Sequence, residues 1–453
     1  MSVAAAAPSL DRLYAEHVNP QWVRLLNLLE MNARYECCRG CELFTADGRR
    51  ILDFLSGYSV HNTGHNHPAI VAALHEELER SGPAMLQSHV PELAGVLAAR
   101  LVERAGGRLN RVYFCSSGSE GVETAIKFAR AATGRTGMLY AGGGFHGLTC
   151  GALSLMSEPF WKDGFGPMLP RTEAVPFGSL PELEQKLATR KFAAFITEPI
   201  QAEAGIVVPE PAYLQAAQEM CRRYGTLFVL DEVQTGMHRT GPFLAAHGYG
   251  VEPDMVVLAK ALSGGLVPVG ALLMSEAVSD AVFSSLKRAV VHACTFGENS
   301  LAMRAGLATL DVLEDENLGE RGAALGALLR RRLTAALAPY EMVRAVRGAG
   351  MLSGIEFREP RQLRLRVAFE TFRRIHPGMF GQVLVMRMFR DHGILTQICG
   401  NHFMVLKAAP PLVADEEKIE QFVEAIRETV DLVHNSSTFW SDALGLARRV
   451  AKV

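Results

Sequence analysis

Two short apolar runs in the middle of the chain, Leu227-Phe228-Val229-Leu230 and Met255-Val256-Val257-Leu258-Ala259, are bounded by polar and glycine-rich turns. Continuous apolar runs of this length mark interior strands of a parallel sheet, buried on both faces. The first runs into Asp231-Glu232-Val233-Gln234 and the second into Lys260-Ala261-Leu262-Ser263-Gly264-Gly265. Ligands in such sheets collect at the carboxyl ends of the strands. Asp231 and Lys260 are therefore expected on one rim, close in space although 29 positions apart.

The same pattern predicts strands over Arg111–Cys115 and Ala193–Thr197. Apolar positions from Leu10 to Leu29, interrupted at Asn19-Pro20, predict two short helices, because proline ends one helix and starts the next. Ile70, Val71, Leu74 and Leu78 predict a helix from Pro68, stopped by Gly82-Pro83, and helices are also expected over Tyr213–Tyr224 and onward from about residue 301. Alternation on either side of Ala46-Asp47-Gly48 reads as a hairpin. Residues 343–357 read as paired strands of a smaller α+β domain, Arg361 to Arg374 as a solvated helix face, and residues 435–453 as a polar turn with a short amphipathic tail.

Composition narrows the function classes. With 453 residues and a formal net charge of −2, the chain is long enough for one large and one smaller domain, and it lacks the basic excess of a nucleic-acid or polybasic membrane binder. No apolar run is long enough to span a bilayer, and the start around Ala4 to Ala7 lacks the basic region and long apolar core of a signal peptide; a cytoplasmic protein is expected. Eight cysteines in a chain of this size do not make a disulfide scaffold. Cys37, Cys38 and Cys41 have no second ligand pair at suitable spacing, and no third histidine joins His65 and His67, so no metal site is expected.

A lysine and a carboxylate at neighbouring strand ends admit two readings. One is a structural ion pair, a weak contributor to stability when buried. The other is the pair that pyridoxal phosphate requires: an amine to condense with its aldehyde, and a carboxylate to keep the ring nitrogen protonated so that the ring acts as an electron sink. The two strands alone leave both open. Ser116-Ser117-Gly118-Ser119-Glu120 joins a strand to a helix start, where unpaired amides and the positive dipole end suit a phosphate. Gly142-Gly143-Gly144-Phe145-His146-Gly147 carries three consecutive glycines, the mark of a close backbone approach.

Asp231-Glu232-Val233-Gln234-Thr235-Gly236, Arg239-Thr240-Gly241 and Leu258-Ala259-Lys260-Ala261-Leu262-Ser263-Gly264-Gly265 resemble the signature blocks of class III aminotransferases. These are pyridoxal-phosphate enzymes of fold type I, including ornithine, acetylornithine, 4-aminobutyrate and putrescine aminotransferases, and the resemblance runs in order from about residue 42 to about residue 412. It implies an α/β fold whose large domain has a mainly parallel seven-stranded sheet, beside a smaller α+β domain. Residues 1–60 are then expected to contribute to the small domain and the substrate mouth, 61–315 to form the cofactor-binding domain, and 316–453 the small domain.

The resemblance also assigns roles. Lys260 and Asp231 are the catalytic pair, Gly118 and Ser119 belong to the phosphate cup, and Phe145 stacks on the cofactor ring with His146 beside it. Val233 packs on the opposite ring face, Gln234 and Glu198 lie near the phenolic oxygen, and Thr295 reaches the phosphate of the neighbouring subunit, which implies a homodimer with shared sites. Glu203 matches a carboxylate that pairs with an arginine in several ketoacid-using members, and Lys407 stands where many relatives carry an arginine that clamps an α-carboxylate. Ala202, Glu298, Ser300 and Met303 are further departures. The implied reaction is a ping-pong transamination.

Lysine keeps the charge at position 407 but loses the planar fork that holds both carboxylate oxygens. With the likeness of Glu232-Val233-Gln234-Thr235-Gly236-Met237 to putrescine-type members, this favours a terminal primary amine or aldehyde, with a ketoacid or amino acid such as 2-oxoglutarate or glutamate in the other half-reaction. Ornithine or acetylornithine transamination is the alternative. Decarboxylase or aminomutase chemistry and a noncatalytic scaffold are the more distant ones, since fold alone does not decide chemistry.

Overall fold

The computed structural model describes residues 10–86, 88–375 and 377–451. Its largest sheet has seven strands in the order Arg111–Cys115, Gly270–Met274, Met255–Leu258, Leu227–Asp231, Phe192–Thr197, Gly137–Ala141, Thr172–Val175. Gly270–Met274 runs antiparallel to both of its neighbours, and the remaining pairs are parallel. Every residue of Phe192–Thr197, Gly137–Ala141 and Met255–Leu258 is buried, which is why these strands read as unbroken apolar runs.

The pleat divides those residues between two cores. Val229, Met255 and Val257 face the helix Gly118–Thr133, through Val122, Ile126 and Ala129. Phe228, Leu230, Val256 and Leu258 face the opposite core, which includes Leu214 and Ala217 of the helix Tyr213–Tyr224 and Leu310 of the helix Ser300–Asp315. With both faces covered, the carboxyl ends of the strands are the place left for a site.

A second sheet, antiparallel, joins Val343–Ala349, Leu352–Phe357, His402–Ala408 and Gln397–Cys399. Long helices over Leu318–Leu337 and Glu416–Asn435 pack on each other beside it. The architecture is fold type I, with a mainly parallel seven-stranded sheet and a smaller α+β part. A third sheet pairs the meander Tyr35–Arg39, Glu42–Thr45 and Arg50–Asp53 with Ile394–Leu395 in parallel, tying the N-terminal hairpin to the C-terminal part of the chain.

The N-terminal helices span Leu10–His17 and Pro20–Leu28. The Asn19 side chain between them accepts from the amides of Gln21 and Trp22, with Pro20 at the first helical position. Residues 1–9, including Ala4 to Ala7, lie outside the described residues. The basic stretch is a helix over Leu363–Ile375 whose Arg364, Arg366, Arg373 and Arg374 form the expected solvated face, while Leu365 and Phe369 are buried on its other side. One expectation changes. The C-terminal stretch is a 14-residue helix, Thr438–Ala451, whose Phe439, Ala443 and Leu446 recur at i, i+4 and i+7 and are buried in the core. His65 and His67 are hydrogen-bonded structural histidines, to Asp53 at 2.7 Å and to Glu316 at 2.8 Å.

Ser56, Gly57, Tyr58 and Ser59 form one turn with φ of +46°, +60°, +62° and +71°. Left-handed backbone costs a non-glycine residue about 1 kcal/mol or more. Tertiary bonds hold it there: Ser56 N–H donates to Asp53 Oδ1 (2.7 Å) and Ser56 Oγ–H to the Ala409 carbonyl (2.6 Å).

Candidate active site

Lys260 follows the strand Met255–Leu258 and begins a short 3₁₀ turn, Lys260–Ser263, with φ +47°. It lines a cavity of about 570 Å³ at the strand ends, and its Nζ donates to Gln234 Oε1 at 3.3 Å. Burial holds its amine below the ordinary lysine value, against the opposing pull of the Glu203 and Asp231 carboxylates. A lowered value raises the fraction of neutral amine, the nucleophilic form.

Asp231 ends the adjacent strand, where it pairs in register with Val257. Its Oδ1 accepts from the Val233 amide (3.1 Å), and its Oδ2 bonds His146 Nδ1 (2.8 Å). Burial alone would push His146 down. The hydrogen bond and charge of Asp231 reverse this, so the imidazole sits above its usual value. Glu198, at the end of Phe192–Thr197, accepts from the amides of Phe145 (2.9 Å) and Ala202 (3.1 Å). Burial pushes its carboxyl up to about 7.

At the other end of the cavity, Ser117 caps the helix Gly118–Thr133 by accepting from the Glu120 amide at 3.2 Å. Ser119 Oγ accepts from the Leu148 amide at 3.1 Å. A Cβ on Gly118 would stand 2.9 Å from a Val233 methyl carbon, so glycine is what lets this turn pack against Val233. Phe145, half-buried, meets the Trp161 ring edge-on at 5.4 Å.

Glu203 and Lys407 form an ion pair. The second Glu203 oxygen accepts from the Gly400 amide at 2.8 Å, and Lys407 Nζ lies 4.9 Å from the centre of the Tyr58 ring. Burial opposes both charges, but each partner's charge outweighs it: Glu203 is held below the usual carboxylate value and Lys407 above the usual lysine value. Each partner thus favours the charged form of the other.

The cavity thus brings together Gly118, Ser119, Phe145, His146, Glu198, Asp231, Val233, Gln234 and Lys260. Thr295 is exposed and lines a separate depression of about 370 Å³ with Tyr113, Ser116 and His292. The left-handed turn that places Tyr58, and the contacts of Trp161, Gly400 and Asn401, were not part of the sequence expectation. Gly57 alone hinted at the turn, and no local pattern pointed to the others.

Pyridoxal phosphate fits these residues on two observations. Gln234 Nε2 is a buried donor without a partner at the cavity wall, the kind of group that an acceptor on a bound ring would satisfy. The Gly118 turn opens a helix N-terminus onto the cavity, where backbone amides suit a phosphate. Lys260 would hold the aldehyde carbon, Asp231 the ring nitrogen, and the first turn of the helix the phosphate.

Comparison with known proteins agrees with this chemistry. The family profile described as aminotransferase class-III matches residues 27–430. The aminotransferase PigE of a Serratia strain is 35% identical over 458 aligned positions, which cover 94% of this chain and 54% of PigE; the chain spans about half the length of that relative. The mitochondrial ornithine aminotransferase of Rattus norvegicus is 36% identical over 403 positions, covering 86% of this chain and 84% of that protein. Among solved structures, a thermostable (S)-enantioselective omega-transaminase from Thermomicrobium roseum superposes with a TM-score of 0.82 at 29% identity, covering 94% of this chain and 98% of that one. The ornithine aminotransferase of Toxoplasma gondii superposes with a TM-score of 0.79 at 28% identity, covering 94% and 99%. Family profile, relatives and fold agree, and the chain belongs to the class III pyridoxal-phosphate-dependent aminotransferases.

Proposed function

We propose that this chain is a working aminotransferase whose Lys260 carries pyridoxal phosphate. In this reading it moves an amino group between a terminal primary amine or aldehyde and a ketoacid or amino acid such as 2-oxoglutarate or glutamate. The observation that carries the reading is the Lys260 amine, depressed by burial and facing the carboxylate of Asp231 across a cavity that opens on a helix N-terminus. When bound, the cofactor supplies an electron sink for the charge left on the substrate carbon. Asp231, fixed by His146 and the Val233 amide, would hold the proton on the ring nitrogen. Once the incoming amine has displaced it, Lys260 Nζ would take the proton from the amine-bearing carbon of the substrate and deliver it to the carbon the lysine had held, and the reverse half-reaction would run the same transfer backward.

The substrate preference rests on Lys407. Its charge is matched by Glu203, and an ammonium lacks the planar fork with which arginine holds two carboxylate oxygens. A simple terminal amine such as putrescine has no α-carboxylate to be clamped. Ornithine or acetylornithine is the second reading, favoured by the ornithine aminotransferases among the similar proteins. The deciding measurement is a single-turnover panel of putrescine, cadaverine, ornithine, acetylornithine, 4-aminobutyrate and glutamate, following loss of absorbance of the lysine-bound cofactor. Simple terminal amines are expected to react fastest; ornithine or acetylornithine far above all of them would overturn the preference. Lys407→Arg is expected to raise use of α-amino acids about tenfold, the worth of a bidentate charged contact, while sparing terminal amines.

A homodimer with shared sites belongs to the same proposal. Thr295 is exposed beside Ser116, outside the cavity that holds Lys260, as a residue serving a second copy would be. Mixing Lys260→Ala subunits with Thr295→Ala subunits is expected to restore part of the activity, because one composite site per heterodimer is intact. Full activity in a monomer, established by light scattering at assay concentration, would contradict it.

A further inference from the structure

The antiparallel hairpin formed by Gln397–Cys399 and His402–Ala408 turns at Gly400-Asn401, and this two-residue tip reaches the loops around the cavity. Asn401 Nδ2 donates to the Gly143 carbonyl (3.0 Å), and its Oδ1 accepts from Trp161 Nε1 (2.9 Å). The Asn401 amide donates to the Glu203 carbonyl (2.9 Å), and the Gly400 amide to Glu203 Oε2 (2.8 Å). Three separate segments are therefore gripped by one turn: the glycine loop that carries Phe145, the short helix Pro159–Lys162 whose Trp161 meets the Phe145 ring, and the turn that carries Glu203. Lys407 belongs to the same hairpin and lies opposite Gln397. Both oxygens of Glu203 are consequently held from that hairpin, one by Lys407 and one by Gly400.

We propose that Asn401 is a positioning residue, and that the Gly400-Asn401 tip is a latch that fixes Glu203 on Lys407 and keeps the substrate end of the site closed to carboxylates. An incoming carboxylate must displace Glu203 from Lys407, and the Gly400 amide adds to the cost of that displacement. A terminal amine makes no such demand. The latch thereby biases the site toward amines and against its ketoacid partner. This rests on the reading above, of a ketoacid in the other half-reaction, and takes the ketoacid's carboxylate to bind at Lys407.

The test compares wild type with Asn401→Ala, and with Trp161→Phe as a second variant that keeps a ring against Phe145 but drops the indole donor. Amide hydrogen exchange is measured on peptides covering residues 141–147 and 198–205, together with separate KM values for putrescine and 2-oxoglutarate. In Asn401→Ala, exchange is expected to rise in both peptides. The ketoacid KM is expected to fall about threefold to tenfold, the effect of one or two neutral hydrogen bonds, with the amine KM within twofold. Trp161→Phe is expected to change in the same direction by a smaller factor, and it carries the test if Asn401→Ala does not fold. Exchange confined to the hairpin tip, or KM values that are unchanged or move together, would overturn the proposal. If wild type turns over neither substrate, the functional reading fails, and the exchange of the 198–205 peptide alone judges the latch.

Discussion

Replacing Lys260 by alanine is expected to lower turnover by about 10⁴-fold or more, because the change removes both the covalent anchor and the base that moves the proton. The fold should survive. Alanine inherits the same left-handed backbone, and among the described residues the side chain removed makes one hydrogen bond, to Gln234. Single-turnover absorbance with the best amine of the panel measures the loss. In wild type, borohydride reduction should leave the cofactor on the peptide that contains Lys260. Turnover preserved in Lys260→Ala, or the reduced adduct on another lysine, would remove Lys260 from its role.

Arg239→Ala is expected to lower the unfolding free energy by about 3–5 kcal/mol, the range for stranding a buried polar network. Arg239 is fully buried and donates to the carbonyls of Met351 (3.1 Å) and Pro410 (2.6 Å) and to the side chains of Ser56 (3.1 Å) and Asn62. None of these four acceptors is a carboxylate, and burial pulls the guanidinium down to about 9. One side chain therefore joins the left-handed turn, the loop after the Asp231 strand and the ends of the smaller sheet. Arg239→Lys keeps a cation but cannot reach four acceptors with one head, so an intermediate loss is expected. Denaturant titration of both variants decides it: a loss below about 1 kcal/mol for Arg239→Ala would show that the surrounding acceptors find other donors.

What could be read in advance follows from how local each feature is. Leu227–Asp231 and Met255–Leu258 are buried on both faces, so their apolar runs and the charged residues that end them carried the rim of the site directly. Lys407 was legible as an unusual lysine, but whether it clamped a substrate or paired with Glu203 was open, since the two are 204 positions apart. The ion pair with Glu203 is a tertiary fact. The turn at Ser56–Ser59 was hinted at by Gly57 alone for the same reason: serine and tyrosine avoid left-handed backbone on their own, and bonds from Asp53 and Ala409 impose it. Asn401 and Trp161 meet across 240 positions. The C-terminal helix was read as a tail because its spacing specifies a helix but not the surface it covers.

The backbone at Lys260, at φ +47°, has a consequence for how such a chain tolerates change. Glycine adopts that conformation without strain and lysine does not, a difference of about 1 kcal/mol. A library of cofactor-free protein sorted by melting temperature alone is expected to enrich glycine at position 260 and so to deliver proteins that are sturdier and inert. Thermal robustness and turnover pull in opposite directions at this one position, so a screen for stable variants has to score chemistry at the same time.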